Sequence, residues 1–68
     1  MTEITFNGDK EVLDGEYTVI EFLRKNEFGP ETVTVSLNGS ILSKEDFAAV
    51  VLKTGDSVDV LLFMGGGQ

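Results

Sequence analysis

The clearest strand pattern of the sequence is TVTVSLNG at residues 32–39. Polar and apolar side chains alternate along it, which is the period of a strand that buries one face, so every second residue from Val33 to Leu37 points inward. Asn38-Gly39 then supplies the positive φ angles of a tight hairpin turn, and the chain returns in a short strand. We therefore expect a hairpin whose inner face packs against another layer of the molecule.

A second hairpin begins the chain, because Asn7-Gly8 is the same turn dipeptide between two apolar stretches. Its strands are expected over about residues 2–7 and 10–13. The last strand is predicted over residues 58–64. Alternation along that strand places Val58, Val60, Leu62 and Met64 on one side and Asp59, Leu61 and Phe63 on the other.

The main helix is marked by its N-terminal cap. Residues 18–21 read TVIE, a capping box in which the Thr18 hydroxyl accepts a backbone N–H and the Glu21 carboxylate reaches back to the cap. We expect the helix to run to about residue 26. Its apolar face is predicted to consist of Val19, Phe22 and Leu23.

A second capping box is indicated by SKED at residues 43–46, where Asp takes the place of the usual Glu or Gln. We expect it to start a short helical piece whose apolar side chains are Phe47, Ala48 and Val51. Gly55-Asp56 then ends the connection to the last strand.

The element order is strand, strand, helix, strand, short strand, short helix, strand. It predicts an α+β fold in which four or five strands form a mixed sheet with one main helix on one face. Leu61 and Phe63 then lie on the face that the helix does not cover, where exposed apolar residues are candidates for a docking surface. The alternative is that they pack against the loop around Phe47.

The composition excludes several classes of function. The chain has 68 residues with 12 acidic against 5 basic side chains, a formal net charge of −7, and no Cys, His or Trp. The charge repels a phosphate backbone, which argues against nucleic-acid binding. Disulfides, zinc sites built on thiolate or imidazole, and Cys or His catalysis are excluded by the missing residue types. A chain of this length forms one small domain.

Membrane segments, secretory signals and metal sites are not indicated either. The apolar run in residues 58–64 is far shorter than the roughly 20 residues of a membrane span, and no signal pattern begins the sequence, so we expect a cytoplasmic protein. Two acidic pairs, Glu45-Asp46 and Asp56 with Asp59, are the candidates for a cation site, but Glu45 and Asp46 are expected in a first helical turn and Asp56 in a turn. No loop has the six or more converging oxygens of a calcium site.

The end of the sequence carries the main functional signal. Residues 65–68 read GGGQ and follow the last strand. Glycines let a peptide lie extended in a narrow channel, and they leave the carbonyl carbon of Gly67 unshielded toward a nucleophile. We therefore divide the chain into a domain over residues 1–64 and a flexible, reactive tail over residues 65–68. The alternative is an ordinary frayed terminus.

Three motifs together give the chain a family resemblance: ITFNG at residues 4–8, VTVSLNG at residues 33–39, and LKTGDSVDV at residues 52–60, followed by FMGGG at residues 63–67. They make the chain similar, over essentially its whole length, to the small ThiS- and MoaD-like sulfur carriers of the thiamine biosynthesis type. The resemblance implies the ubiquitin-like β-grasp fold, which the small subunit of molybdopterin synthase shares.

The resemblance also implies that the chain is a substrate of partner enzymes and not itself an enzyme. In this family an activating enzyme uses ATP to adenylate the C-terminal glycine carboxylate, and sulfur from a persulfide donor converts it to a thiocarboxylate. That sulfur then enters thiazole formation. The reactive residue is expected to be Gly67, with Gly66 beside it and Gly65 extending the tail. The carrier needs no bound cofactor, and its partners are the activating enzyme and thiazole synthase or another sulfur acceptor.

Gln68 departs from the terminal diglycine of the family. A side chain at this place obstructs a thin channel, so we expect Gln68 to be removed before activation, as a zinc peptidase does for relatives with short extensions. Because of this extra residue, pathways other than thiamine synthesis are alternatives. In these the sulfur passes to homocysteine, cysteine or molybdopterin. A ubiquitin-like protein tag joined to a lysine through the same glycine, and a plain interaction domain with an inert tail, are the alternatives from other classes.

A docking surface for the activating enzyme is predicted from charge and from apolar side chains. Twelve carboxylates favour a partner with a basic face. Leu61, Phe63 and Met64 are the candidates for the apolar centre of that interface.

Overall fold

The computed structural model describes residues 1–62, which form one mixed sheet with a helix on one face. Within these residues the elements are β1 (Thr2–Phe6), β2 (Asp9–Leu13), α1 (Val19–Lys25), β3 (Val33–Leu37), β4 (Ser40–Ile41) and β5 (Ser57–Leu62), with single 3₁₀ turns at Pro30–Thr32 and Lys44–Asp46. The strand order in the sheet is β2-β1-β5-β3-β4. The predicted α+β class and mixed sheet are therefore confirmed.

The last strand occupies the centre of the sheet. β5 runs parallel to β1, with Phe6 opposite Val58, and antiparallel to β3, with Val33 opposite Leu62. A parallel neighbour needs a long crossover, and here α1 and the second hairpin lie between the two strands in sequence. β5 is thus paired on both sides at Val58, and with β3 alone from Asp59 to Leu62.

Both predicted Asn-Gly turns are confirmed. Asn7 and Asn38 have φ angles of 49° and 52°, and Gly8 and Gly39 have φ angles of 89° and 90°. Two successive positive φ angles give a two-residue turn the twist that suits its flanking strands. Because Asn7 takes part in the turn, β1 ends at Phe6, slightly earlier than the sequence predicts.

Helix α1 begins at the predicted capping box. The Glu21 N–H donates to Thr18 Oγ1 at 3.2 Å, and the Thr18 N–H donates to Glu21 Oε1 at 2.9 Å. The predicted inner face is also confirmed, because Val19, Phe22 and Leu23 are fully buried. A helix of 7 residues is marginal by itself, so its packing against the sheet provides most of its stability.

The second predicted capping box is wrong. The Ser43 hydroxyl donates to the Asp46 carboxylate at 3.1 Å instead of accepting a backbone N–H, and the Asp46 N–H donates to the Ser43 carbonyl at 3.0 Å. The chain makes a single 3₁₀ turn there, which is too short to present the face of an α-helix. Phe47 is buried as expected, but Ala48 and Val51 are exposed.

The hydrophobic core lies between α1 and the inner face of the sheet. Its buried apolar side chains are Ile4, Leu13, Val19, Phe22, Leu23, Val33, Val35, Phe47, Leu52, Val58 and Val60. The ring of Phe6 packs edge-on against Phe22, with centroids 5.1 Å apart, and against Phe28 at 6.2 Å. Among residues 1–62 no helix covers the sheet face opposite α1. None of the helices in this part of the chain is long and apolar enough to cross a membrane.

Candidate functional site

The candidate site is the end of β5 together with the tail that follows it. Of the residues predicted for this site, Leu61 lies within the part of the chain that the structure describes. The predicted residues outside it are Phe63, Met64, Gly65, Gly66, Gly67 and Gln68. Their roles, and the boundary between domain and tail, therefore stay predictions.

Leu61 lies on the sheet face opposite α1. It is paired with Thr34 of β3, and Asp59 of the same strand shares its face. We call this face, which carries Glu3, Thr34, Asp59 and Leu61, the open face. Leu61 is 66% exposed, so it does not pack against the loop around Phe47. Most of its surface is accessible for contact with another molecule.

The predicted alternation of the last strand is confirmed for residues 58–62, but it does not bury Leu62. Its side chain is on the same side as Val58 and Val60, but it is 53% exposed and not part of the core. β1 ends at Phe6, opposite Val58, and beyond this pair β5 is paired with β3 alone among the described residues. Alternation predicts which side a residue faces, but not how far the covering layer extends. Two exposed leucines therefore lie on opposite faces directly before residue 63.

Two asparagine side chains hold β5 in the sheet. The Val60 N–H donates to Asn7 Oδ1 at 2.8 Å, and the Ser57 N–H donates to Asn38 Oδ1 at 2.8 Å. Each Asn-Gly turn thus binds the central strand in addition to closing its own hairpin. The sequence predicts the turns but not these bonds, because Asn7 and Val60 are 53 positions apart and no local pattern links them.

The open face around Leu61 is polar and carries acidic groups. Asp59 is exposed and lies opposite Ser36. Glu3 and Lys10 form an ion pair with 3.4 Å between Oε1 and Nζ, which adds little to stability because both side chains are in water. With a net charge of −7 over the whole chain, these groups favour a partner that presents a basic face.

Of the acids considered for a metal site, Asp56 and Asp46 form hydrogen bonds within their own turns. Asp56 Oδ2 accepts the Lys53 N–H at 2.8 Å, and its Oδ1 accepts a bond from Asn38 Nδ2 at 3.1 Å, so this carboxylate organises the turn before β5. Glu45 and Asp46 belong to the 3₁₀ turn. Within residues 1–62 no group of three or more potential ligand residues converges on one point.

One pair of titratable groups is coupled in the connection between β2 and α1. The Tyr17 hydroxyl donates to Asp14 Oδ1 at 2.6 Å. This hydrogen bond stabilises the charged carboxylate and the neutral phenol, so it lowers the pKa of Asp14 and raises the pKa of Tyr17. The Lys25 ammonium lies 5.8 Å from the centroid of the Tyr17 ring. These groups fasten the start of α1 and are not part of the end of β5.

Comparison with known proteins gives one consistent result. The model of the ThiS family matches residues 2–67. The crystal structure of a thiamine biosynthesis protein from Geobacter metallireducens is 42% identical with a TM-score of 0.83, and the match covers 97% of this chain and 100% of that one. A solution structure of a thiamine biosynthesis protein from the same organism is 41% identical with a TM-score of 0.81, covering 98% and 90%.

A thiazole synthase from Magnetococcus marinus is also similar. It is 35% identical over 66 residues, which cover 97% of this chain and 20% of that protein. The chain therefore spans about one fifth of the length of this relative.

Three features define a small carrier protein of the β-grasp fold. They are the order of elements, the central parallel pair of β1 and β5, and a last strand that is followed in sequence by a diglycine. The match over residues 2–67 identifies the family within this class. The chain belongs to the ThiS family, the sulfur carriers of the β-grasp fold. The fold and the family expected from the resemblance are both confirmed.

Proposed function

We propose that this protein carries sulfur for thiamine biosynthesis as a thiocarboxylate on Gly67, and that it is a substrate of its partner enzymes. Three findings support the proposal. The family match extends through residue 67, and the similar solved structures are named as thiamine biosynthesis proteins. The relative named thiazole synthase supports thiazole formation as the step that receives the sulfur.

The observation that carries the proposal is the central position of β5, the strand that precedes the glycines in sequence. β5 is paired with β1 at its start and with β3 through Leu62, and residues 65–67 follow it closely along the chain. Glycines have no Cβ to obstruct a narrow channel. This arrangement suits a protein whose own main chain reacts inside the active site of another protein.

The chemistry requires no side-chain catalyst on the carrier. A carboxylate is a poor electrophile because its negative charge repels a nucleophile. The partner enzyme uses ATP to convert the carboxylate of Gly67 to an acyl adenylate, which removes this charge and supplies a good leaving group. The outer sulfur of a persulfide donor then attacks the acyl carbon and expels AMP, and a thiol cleaves the resulting acyl disulfide, which releases the thiocarboxylate and leaves a disulfide on the donor. A chain without Cys or His can take part because the sulfur is bound to the main-chain carboxyl group.

Activation at Gly67 requires a carboxylate on that residue. Gln68 follows it, so the bond between Gly67 and Gln68 must be cut before adenylation. We assign this cleavage to a zinc peptidase that acts on the carrier. Gly66, as the thin neighbour of Gly67, keeps the trimmed end narrow.

The partner is proposed to dock on the end of β5 and on the acidic surface around it. The exposed Leu61 supports this assignment, and the exposed Leu62 adds a second apolar side chain on the opposite face of the strand end. Phe63 and Met64 are predicted to extend the apolar centre. Burial of such residues gives affinity, and the surrounding carboxylates give attraction to a basic face.

The proposal is tested by measuring the intact mass of the protein after incubation with ATP, the activating enzyme of the same organism, a persulfide donor and a thiol as reductant. The chain ending at Gly67 is expected to gain the mass of one sulfur exchanged for one oxygen. The full-length chain is expected to stay unchanged until the peptidase is added. A thiocarboxylate on the full-length chain with Gln68 retained contradicts the trimming step, and no modification of either form contradicts the carrier function.

A further inference from the structure

The last part of β5 depends on one side chain for its bonding toward β1. The Asn7 N–H donates to the Val58 carbonyl at 2.8 Å. The Val60 N–H points to the same side two residues later, where β1 has already ended at Phe6, and it donates to Asn7 Oδ1 at 2.8 Å. The Asn7 amide oxygen thus occupies the place that the carbonyl of a further strand residue takes in a continuous ladder.

The conformation of the first turn explains how Asn7 can do this. Its φ angle of 49° is in the left-handed region, which asparagine tolerates better than most residues, and Gly8 continues the turn at 89°. The backbone of Asn7 therefore leaves the strand direction while its side chain remains beside β5. Val60 is buried, so water is a poor substitute for the lost acceptor if the Asn7 side chain is removed.

We propose that Asn7 is a positioning residue for the reactive tail: by binding the Val60 N–H it fixes the end of β5, and with it the point from which residues 63–67 extend into the activating enzyme. This role rests on the function proposed above. Beyond Val60 the described chain is paired only through β3, with Thr34 opposite Leu61 and Val33 opposite Leu62. Loss of the Asn7 bond lets these last pairs open more often, and the carboxylate of Gly67 is then presented less often at the reacting distance.

The second asparagine provides a matched control. Asn38 has nearly the same φ angle, is also followed by glycine, and its Oδ1 also accepts an N–H of β5, but at Ser57, the first residue of the strand. Asn7→Gly and Asn38→Gly each keep a residue that adopts positive φ. Each variant removes a side-chain oxygen that accepts one N–H of β5. They differ in which end of β5 is released, and Asn38→Gly also removes the donor to Asp56 Oδ1, so it is the more severe of the two changes. Asn7→Asp keeps an acceptor oxygen at the same place and serves as the conservative variant.

Amide hydrogen exchange, measured by NMR on the full chain, shows which N–H groups of β5 lose protection in each variant. We expect Asn7→Gly to accelerate exchange at Val60 about tenfold relative to Ser57, and Asn38→Gly to show the opposite preference. Asn7→Asp is expected to restore the protection of Val60. Equal acceleration at both ends by both glycine variants means that only global stability has changed, and this overturns the proposal.

Adenylation kinetics measure the consequence for the tail, using the form of the chain, with or without Gln68, that the activating enzyme accepts. Asn7→Gly is expected to lower kcat about fivefold because the reacting end is presented less often, and to raise KM by a smaller factor because Leu61 lies on the part of β5 that is released. Asn38→Gly is expected to stay within about twofold of the unmodified protein, and Asn7→Asp to recover most of the loss. Equal losses in the two glycine variants, or a change in KM alone, overturn the role of Asn7.

Two further outcomes separate this inference from the proposed function. If neither form of the unmodified chain is adenylated, the carrier function fails and the role of Asn7 fails with it. If the unmodified chain is adenylated but the exchange and kinetic patterns are absent, only the role of Asn7 is refuted. If Asn7→Gly does not fold, the test is made on the unmodified protein. Slow exchange of the Val60 amide, with a scalar coupling across its hydrogen bond to the Asn7 side chain, supports the positioning role of Asn7. Fast exchange of this amide overturns it.

Discussion

Replacing Leu61 by serine separates docking on the activating enzyme from folding of the domain. Leu61 is 66% exposed, so roughly a third of its surface is covered in the isolated protein, and docking can cover the rest. Complete burial of a leucine side chain contributes about 2 kcal/mol, which leaves about 1 kcal/mol for the interface. We therefore expect Leu61→Ser to raise the KM for the carrier in adenylation about fivefold to tenfold.

The control for this variant is Ile41→Ser. Ile41 is 73% exposed, and it pairs with Ser36, which pairs in turn with Asp59, so it belongs to the same open face as Leu61. It lies on the edge strand β4, away from the strand that leads to the tail. The assay is the initial rate of pyrophosphate release at varied carrier concentration, with thermal unfolding of each variant measured alongside. Equal KM values for the two variants, or a large loss of melting temperature in Leu61→Ser with KM unchanged, refute the assignment of Leu61 to the docking surface.

Three further predictions concern other parts of the chain. Thr18→Ala removes the acceptor of the capping box and is expected to cost about 1 kcal/mol, or about 4–8 °C in melting temperature; an unchanged melting temperature contradicts a stabilising cap. Tyr17→Phe is expected to raise the pKa of Asp14 toward its ordinary value, as followed by carboxyl NMR titration; no change in that titration shows that the bond is not formed in solution. Phe63→Asp is expected to reduce adenylation while circular dichroism stays native, whereas unfolding places Phe63 in the core instead of the docking surface.

The pair of Asp14 and Tyr17 also has an expected dependence on pH. The folded-state pKa of Asp14 is lowered, so its contribution to stability is present above the unfolded-state pKa and is lost as pH falls through the folded-state value. The folded-state pKa of Tyr17 is raised, so its contribution is present below the unfolded-state pKa and is lost as pH rises through the folded-state value. The measurement compares the unfolding midpoint of Tyr17→Phe with that of the unmodified protein from acid to alkaline pH. The difference between the two midpoints is expected to shrink at low pH, where Asp14 is protonated, and at high pH, where Tyr17 is ionised.

The predictions that agree with the structure are those that depend on a few neighbouring residues. The Asn-Gly turns require positive φ angles at two adjacent positions, and Asn7-Gly8 meets this requirement without any contact elsewhere. The box of Thr18 and Glu21 is likewise complete within one helical turn. SKED at residues 43–46 shows the limit of such patterns, because the Ser43 hydroxyl donates to the Asp46 carboxylate there and the chain continues as a 3₁₀ turn.

The sequence by itself determined the hairpins, the main helix and its buried face, the family resemblance and the chemistry available to a chain that has a glycine-rich end and neither Cys nor His. Only the tertiary structure decided that β5 lies between β1 and β3, that Leu62 is exposed although alternation turns it inward, and that Asn7 binds Val60. The physical reason is the range of the interactions. Turns and caps are determined by φ preferences and hydrogen bonds within a few residues. Strand neighbours and the extent of the covering layer depend on packing between residues far apart in the chain, and a local hydrophobic pattern carries no information about such contacts.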